Sequence, residues 1–344
     1  MQIKDFISKY DPQNQFEVLI ETYKQVEYAW SNKFNLSSIN KNEIDSIIVT
    51  GLGGSAISGD LLQNYLREEL KVPYNVNRNY YLPAFANENT LLIVSSYSGN
   101  TEETIEVLGQ SIKKKCKIVA VTTGGKVGEI AEQNNIPIVK LKEGFQPRYS
   151  LGLSFFSLLK VVQSLGLIDN QTEIVNNIIS LWKEKGIEFS RNNSQAYNLA
   201  VSLAGFIPVI YSCSDLTSAV GYRFKCQVNE NSKLHAFHNS IPEMNHNEII
   251  GWESFAESQL NAKIVNIIDE EYHSKIKERF KIASELMKND GGEIISLESK
   301  QPDFKLRLME LIYLCDWISY YLGIIREKDP SEIENINILK KRLS

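Results

Sequence analysis

One pattern constrains the fold of this chain more than any other: a short apolar run, a turn of glycine and hydroxyl residues, then apolar residues at helical spacing. Its clearest instance begins at Leu91-Leu92-Ile93-Val94, which reads as a buried parallel strand. Ser96-Tyr97-Ser98-Gly99-Asn100-Thr101-Glu102-Glu103-Thr104 follows, and then Ile105, Leu108 and Ile112 recur with the period of a helix. The free N–H groups and the positive end of the helix dipole favour an anion at such a turn. The loop holds no Lys or Arg, so a phosphate there is gripped by hydroxyls and amides rather than by countercharge. The plainer reading is a Ser/Thr helix cap, for which one hydroxyl is enough.

The pattern repeats on either side. Strands are expected at 47–49, 74–81, 91–94, 117–122 and 136–141, with helices between them. An amphipathic helix over 13–31 and a polar linker to Glu43 precede the series. An apolar helix over 153–165 and a helical connector follow it. A second series then has strands at 207–211, 262–268 and 292–297, with helices at 214–227, 274–288 and 304–325. Alternation of this kind implies α/β architecture with parallel sheets covered on both faces, and ligands at the carboxyl ends of the strands. At 344 residues the chain is long enough for two such units. We divide it into an N-terminal helical segment 1–40, a first domain 41–165, a connector 166–195 and a second domain 196–344.

Composition excludes several classes. A net charge of −5 leaves no nucleic-acid surface and no polybasic membrane patch. No run of 18 apolar residues occurs, and residues 1–10 do not read as a signal peptide. Cys116, Cys213, Cys226 and Cys315 are far apart with no C-x-x-C, the usage of reduced thiols in a cytoplasmic protein.

Three further constellations carry candidate chemistry. Gly51-x-Gly53-x-x-Ala56 after a strand matches a dinucleotide fingerprint. The acidic residue expected about 20 positions on is missing from Asn75-Val76-Asn77-Arg78-Asn79. Arg78 would suit a 2′-phosphate, which keeps an NADP-dependent oxidoreductase open as an alternative. Gly53, Gly54 and Ser55 would equally let a backbone approach a small ligand. The segment from Gln227 to Ile249 crowds polar side chains, with Glu230 at the end of a helix as a candidate general base. His246 lies between Asn245 and Asn247, which could orient an imidazole for acid–base work. His235, His238 and His246 fall within twelve residues, but in a segment that reads as a loop with no cysteine beside them they make a poor zinc set.

Taken together, these motifs resemble a known family. They are Gly53-Gly54-Ser55, the serine loop, Gln146-Pro147-Arg148, Asn229-Glu230-Asn231-Ser232-Lys233, Pro242-Glu243-x-Asn245-His246-Asn247-Glu248-Ile249 and a terminal Leu339-Lys340. In this order they resemble the bifunctional phosphoglucose/phosphomannose isomerases of the sugar isomerase (SIS) superfamily. The serine loop marks only a SIS domain, and the later motifs are more specific. The resemblance implies two SIS subdomains, each a mostly five-stranded parallel sheet in an αβα sandwich, and a homodimer. It implies interconversion of glucose 6-phosphate and mannose 6-phosphate with fructose 6-phosphate, with no cofactor and no metal. It also implies roles: Ser96, Ser98 and Thr101 on the phosphate, with Gly53, Gly54 and Ser55; Arg148 beside the reacting carbons; Glu230 as the base. His246, given by the partner subunit, and Lys340 would open the sugar ring. The usual Asp-Pro-Thr before that lysine reads Asp329-Pro330-Ser331 here, and Lys341 is adjacent. The rival within the superfamily is a non-catalytic sugar-phosphate regulator, which needs no base.

Overall fold

A computed structural model describes residues 3–257 and 260–343. In chain order, α1 (Ile3–Tyr10), α2 (Gln15–Ile20) and α3 (Thr22–Ser31) precede β1 (Ser46–Thr50). Strands and helices then alternate: α4 (Gly53–Tyr65), β2 (Tyr74–Asn77), β3 (Thr90–Ser96), α5 (Glu102–Lys113), β4 (Lys117–Thr122), α6 (Gly125–Gln133) and β5 (Ile138–Lys140). Next come α7 (Leu151–Ser164), α8 (Thr172–Phe189) and α9 (Gln195–Leu203). The second series is β6 (Ile207–Cys213), α10 (Ser218–Ser232), β7 (Phe237–Ile241), β8 (Ala262–Ile268), α11 (Ser274–Asn289), β9 (Glu293–Glu298), α12 (Phe304–Ile325) and α13 (Glu334–Leu343).

The chain divides into two units. One runs from Glu21 to Ser180, and the other joins the residues up to Ile20 to Leu181 and everything after it. The leading segment expected over 1–40 is therefore split, and the connector is the helix α8, within which the division falls. The reason is side-chain pairing at long range. In the second unit Tyr313 Oη donates to the Leu19 carbonyl at 2.6 Å, Tyr320 Oη donates to Asp11 at 2.8 Å, and Phe16 packs edge-on against Trp317. The single helix expected over 13–31 breaks at Glu21.

The unit from Glu21 to Ser180 is built on a parallel five-stranded sheet of order β2-β1-β3-β4-β5. Every residue of β1 and β3 is buried, as strands covered on both faces require. Val107 and Leu108 of α5 and Val127 and Ala131 of α6 cover one face, against Ile48, Leu92 and Ala120. The turns after β1, β3 and β4 all leave the carboxyl edge of this sheet.

The other unit carries a parallel sheet of four strands, order β7-β6-β8-β9. Of the two mostly five-stranded sheets expected, the first has five strands and this one four. After β9 the chain enters α12, which packs on α9 and α10 instead of returning to add a strand. The strand β7 was not anticipated. Its sequence Phe-His-Asn-Ser-Ile is polar and half exposed because it lies at the sheet edge, where apolar alternation is not needed. Among the described residues α12 alone is long and apolar enough to cross a membrane, but 94% of that stretch is buried inside the unit. It is a core helix, and it carries Arg307, Glu310 and Asp316 buried and paired.

Candidate functional site

The serine loop joins β3 to α5. Thr101 occupies the capping position of α5, yet its hydroxyl caps no helix N–H. It meets Ser96 Oγ at 3.2 Å instead, and Ser96 Oγ also accepts from the Gly99 N–H at 3.1 Å. Ser96 is buried, and Ser98 is exposed at the mouth of the loop, accepting from the Asn100 N–H at 3.3 Å. The plain helix cap is thus not what this loop forms. Two hydroxyls face each other across the turn and a third stands outside.

The neighbouring loops lock this shape. Gly99 has φ +69°, and a Cβ placed on it would lie 1.7 Å from the Gly124 carbonyl oxygen. Gly54, in the first turn of α4, is equally constrained, because a Cβ there would lie 2.7 Å from the Pro147 carbonyl. That contact brings the short turn Pro147–Tyr149 against the start of α4. Arg148 lies in this turn, 4% exposed, with its guanidinium carbon 5.5 Å from the centre of the Tyr149 ring. Gln25 Nε2 donates to the Tyr149 carbonyl at 2.7 Å and fixes the turn from α3. Gly53 opens α4 with φ +52°, and Ser55 is buried two residues on. The carboxyl edge of the sheet therefore gathers Gly53, Gly54, Ser55, Ser96, Ser98, Thr101 and Arg148 within one unit.

Sequence reasoning missed Tyr97. Its phenol accepts from the Phe145 N–H at 2.9 Å and donates to the Lys142 carbonyl at 2.9 Å. It ties the serine loop to the segment leading into Gln146-Pro147-Arg148. An aromatic residue among small polar ones was the only available signal. Arg78, the feature that kept a 2′-phosphate site open, is ion-paired with Asp60 of α4. Desolvation raises the Asp60 carboxyl pKa, and the Arg78 guanidinium opposes that rise.

In the other unit Glu230 is half buried at the end of α10. Its neighbours brace the helix end. Asn231 Nδ2 donates to Ser319 Oγ at 2.9 Å, Ser232 Oγ donates to the Ser319 carbonyl at 2.7 Å, and Asn229 Oδ1 accepts from the Ala236 N–H at 3.1 Å. Lys233, left-handed at φ 49°, ends the helix and donates to the Glu230 carbonyl at 2.8 Å. Two turns earlier Arg223 is buried in a bidentate pair with Asp316 at 2.8–2.9 Å. Helix α10 is thus bound to α12 along the length that leads to Glu230.

His246 ends the short turn Glu243–His246 and is exposed. Its flanking asparagines do not orient it, contrary to expectation. Asn247 Nδ2 donates to Glu243 at 2.9 Å, and Asn247 Oδ1 accepts from the Glu248 N–H at 2.6 Å. Asn245 Nδ2 lies 3.0 Å from Met244 Sδ. The Asn247 amide is spent on the turn itself, while Asn245 Oδ1 is buried without a partner. Glu248 anchors the segment, accepting from Tyr211 Oη at 2.6 Å and from Asn239 Nδ2 at 2.6 Å. Lys340 lies on α13, no residue of which is buried.

His238 sits in β7 with Nε2 2.7 Å from Ser212 Oγ. No group of three or more potential metal ligands converges among the described residues. Burial, helped by the Lys225 charge, lowers the His238 pKa to about 4. Between pH 6.5 and 4 the unfolded chain therefore binds a proton that the folded chain refuses. Stability should fall as pH drops through that window, by about 3 kcal/mol in full. Urea unfolding of the wild type and of His238→Gln across this range checks it. The variant's acid limb should be flatter, and parallel limbs would contradict the assignment.

Two family descriptions match the chain: SIS domain over residues 42–147, and bacterial phospho-glucose isomerase C-terminal SIS domain over residues 192–343. The chain is 37% identical to a bifunctional phosphoglucose/phosphomannose isomerase of Caldicellulosiruptor bescii, over 96% of this chain and 98% of that one. It is 34% identical to the protein of the same name in Aquifex aeolicus, over 94% and 98%. A solved structure of a hypothetical protein from Thermus thermophilus is similar in fold, with a TM-score of 0.74 and 15% identity over 99% of this chain and 94% of that one.

Proposed function

Because the chain belongs to the bifunctional phosphoglucose/phosphomannose isomerases, we propose that it interconverts glucose 6-phosphate and mannose 6-phosphate with fructose 6-phosphate. The observation that carries this reading is the match to isomerases from one end of the chain to the other. The reaction moves two hydrogens within the sugar: C1 is reduced as C2 is oxidised, so no electrons leave the substrate and no redox cofactor is called for.

Each residue has a distinct task in this reading. Ser96, Ser98 and Thr101 hold the phosphate with the backbone and hydroxyl of Gly53, Gly54 and Ser55, which positions a group remote from the chemistry. Glu230 takes the proton from C2 of the open aldose and returns it to C1. Arg148 stabilises the negative charge of the enediolate that exists only between those two transfers. His246 and Lys340 open the ring, one taking the anomeric hydroxyl proton and the other giving a proton to the ring oxygen. The exposed position of His246 suits a residue donated to the partner in a homodimer. Arg78 bound to Asp60 speaks against the NADP-dependent alternative.

A coupled assay with each aldose phosphate, with and without EDTA, tests the function. Both sugars should be turned over, and EDTA should leave the rates unchanged. Absence of turnover together with absence of solvent deuterium at C2 would leave the non-catalytic regulator. Ser98→Ala should raise KM about tenfold with a small loss of kcat, the cost of one hydrogen bond to a charged group. An unchanged KM would remove Ser98 from the phosphate site.

A further inference from the structure

The sheet of the second unit is covered differently from that of the first. In the first unit α5 and α6 lie together on one face. In the second, β9 leads into α12, which packs on α9 and α10, and α11 lies beside β9 and against the short helical turn Glu248–Ser254. On the face toward α11 the paired rows are Ile264 with Ile294, then Asn266 with Ser296, then Ile268 with Glu298. On β8 the buried polar Asn266 thus lies between Ile264 and Ile268, which both pack into the core cluster, while its partner Ser296 is exposed on the edge strand.

Asn266 is 2% exposed. Its Nδ2 donates to Ser284 Oγ of α11 at 2.9 Å, and its Oδ1 has no partner. Rotating the amide exchanges the two atoms and still leaves one of them unpaired. Such a buried atom calls for an explanation. It borders a cavity of about 330 Å³, floored by the stacked rings of Tyr272 and Phe280 and walled by Ser284 and Ser296. The volume is at the lower end of small-ligand sites. Lys277 and Lys281, one helical turn apart on α11, stand at the rim. Neither has an ion pair among the described residues. The nearby carboxylates are engaged elsewhere, Glu278 with Lys275 and Glu298 with Lys300.

We propose that this cavity binds a small anion carrying a phosphate or carboxylate group, held by Lys277 and Lys281, with an adjoining polar group received by Asn266, Ser284 and Ser296. None of these residues takes part in the isomerisation described above. The two lysines supply charge, the amide supplies the buried hydrogen-bonding position, and the rings accept a short apolar stretch between them.

Site-resolved lysine acetylation of the full-length protein, read by peptide mass spectrometry, tests this at constant ionic strength. Inorganic phosphate and citrate are the two probes. At millimolar excess, one or both should slow modification of Lys277 and Lys281 about threefold or more and leave Lys288, on the same helix, unchanged. Protection by phosphate alone assigns a phosphate ligand, and by citrate alone a carboxylate. Asn266→Leu should abolish the protection. Should that variant fail to fold, Ser296→Phe on the exposed edge strand should fill the cavity with the same result. The proposal is overturned if neither probe protects, or if protection survives in the folded variants, which is charge screening at the surface. It is overturned too if the lysines of the probe-free protein become shielded as protein concentration rises, which is a second copy covering the face.

Discussion

Glu230→Gln is expected to lower kcat by about 10³-fold or more while sugar-phosphate binding stays measurable. The amide keeps the size and the hydrogen-bonding reach of the carboxylate but cannot take a proton from carbon. The helix end should stay in place, because Asn231 on Ser319, Ser232 on Ser319 and Arg223 on Asp316 hold it. Transfer of solvent deuterium into C2 of glucose 6-phosphate reads the proton step directly, and calorimetry reads binding. A variant that exchanges deuterium at a rate near wild type would remove Glu230 as the base. Loss of binding and exchange together, with a lowered unfolding midpoint, would show a structural role instead.

Gly99→Ala should be the most damaging single methyl in the phosphate loop. A Cβ at this position would overlap the Gly124 carbonyl at 1.7 Å and force the residue to hold φ +69°. Left-handed backbone costs a non-glycine residue about 1–2 kcal/mol, and the steric overlap adds to it. The loops after β3 and β4 would have to part, carrying Ser96 and Thr101 out of register. We expect a fall of several degrees in Tm and a rise in KM of about a hundredfold. Gly109→Ala, in the middle of α5 with open space around it, is the control. It should be neutral or stabilising by up to about 1 kcal/mol, since alanine is the better helix former. Equal behaviour of the two variants would show that the interlock of Gly99 with Gly124 does not hold the site.

Much of the first unit could be read before the structure was known. Its inner strands β1, β3 and β4 are apolar on both faces, so they appear as continuous runs, and each ends in a turn whose glycines and hydroxyls differ from the helix that follows. The boundaries of α12, 304–325, were legible for a related reason: a helix buried all round is apolar all round, apart from polar residues that find partners. The edge strand β7 was not legible, because an edge needs no second apolar face. Nor does the sequence show which partners the asparagines beside His246 take, because those depend on how the turn packs. Asn247 serves the turn that ends at His246. Arg78 was ambiguous for the same cause: its partner Asp60 lies 18 residues away on another element.

By itself the sequence determined that this chain makes parallel sheets with hydroxyl-rich turns at their carboxyl ends, and it picked out the residue types suited to a sugar phosphate. Those properties are local, because periodicity and turn chemistry are set by residues a few positions apart. Only the tertiary structure decided which turns meet, that the second sheet stops at four strands, and that the first twenty residues belong with the last half of the chain. Such choices depend on partners as remote as Asp11 and Tyr320, 309 residues apart. It also decided which polar side chains are spent on the frame and which, like Asn266, are left with a hydrogen-bonding position open. That is a property of the packed interior, and no spacing along the chain encodes it.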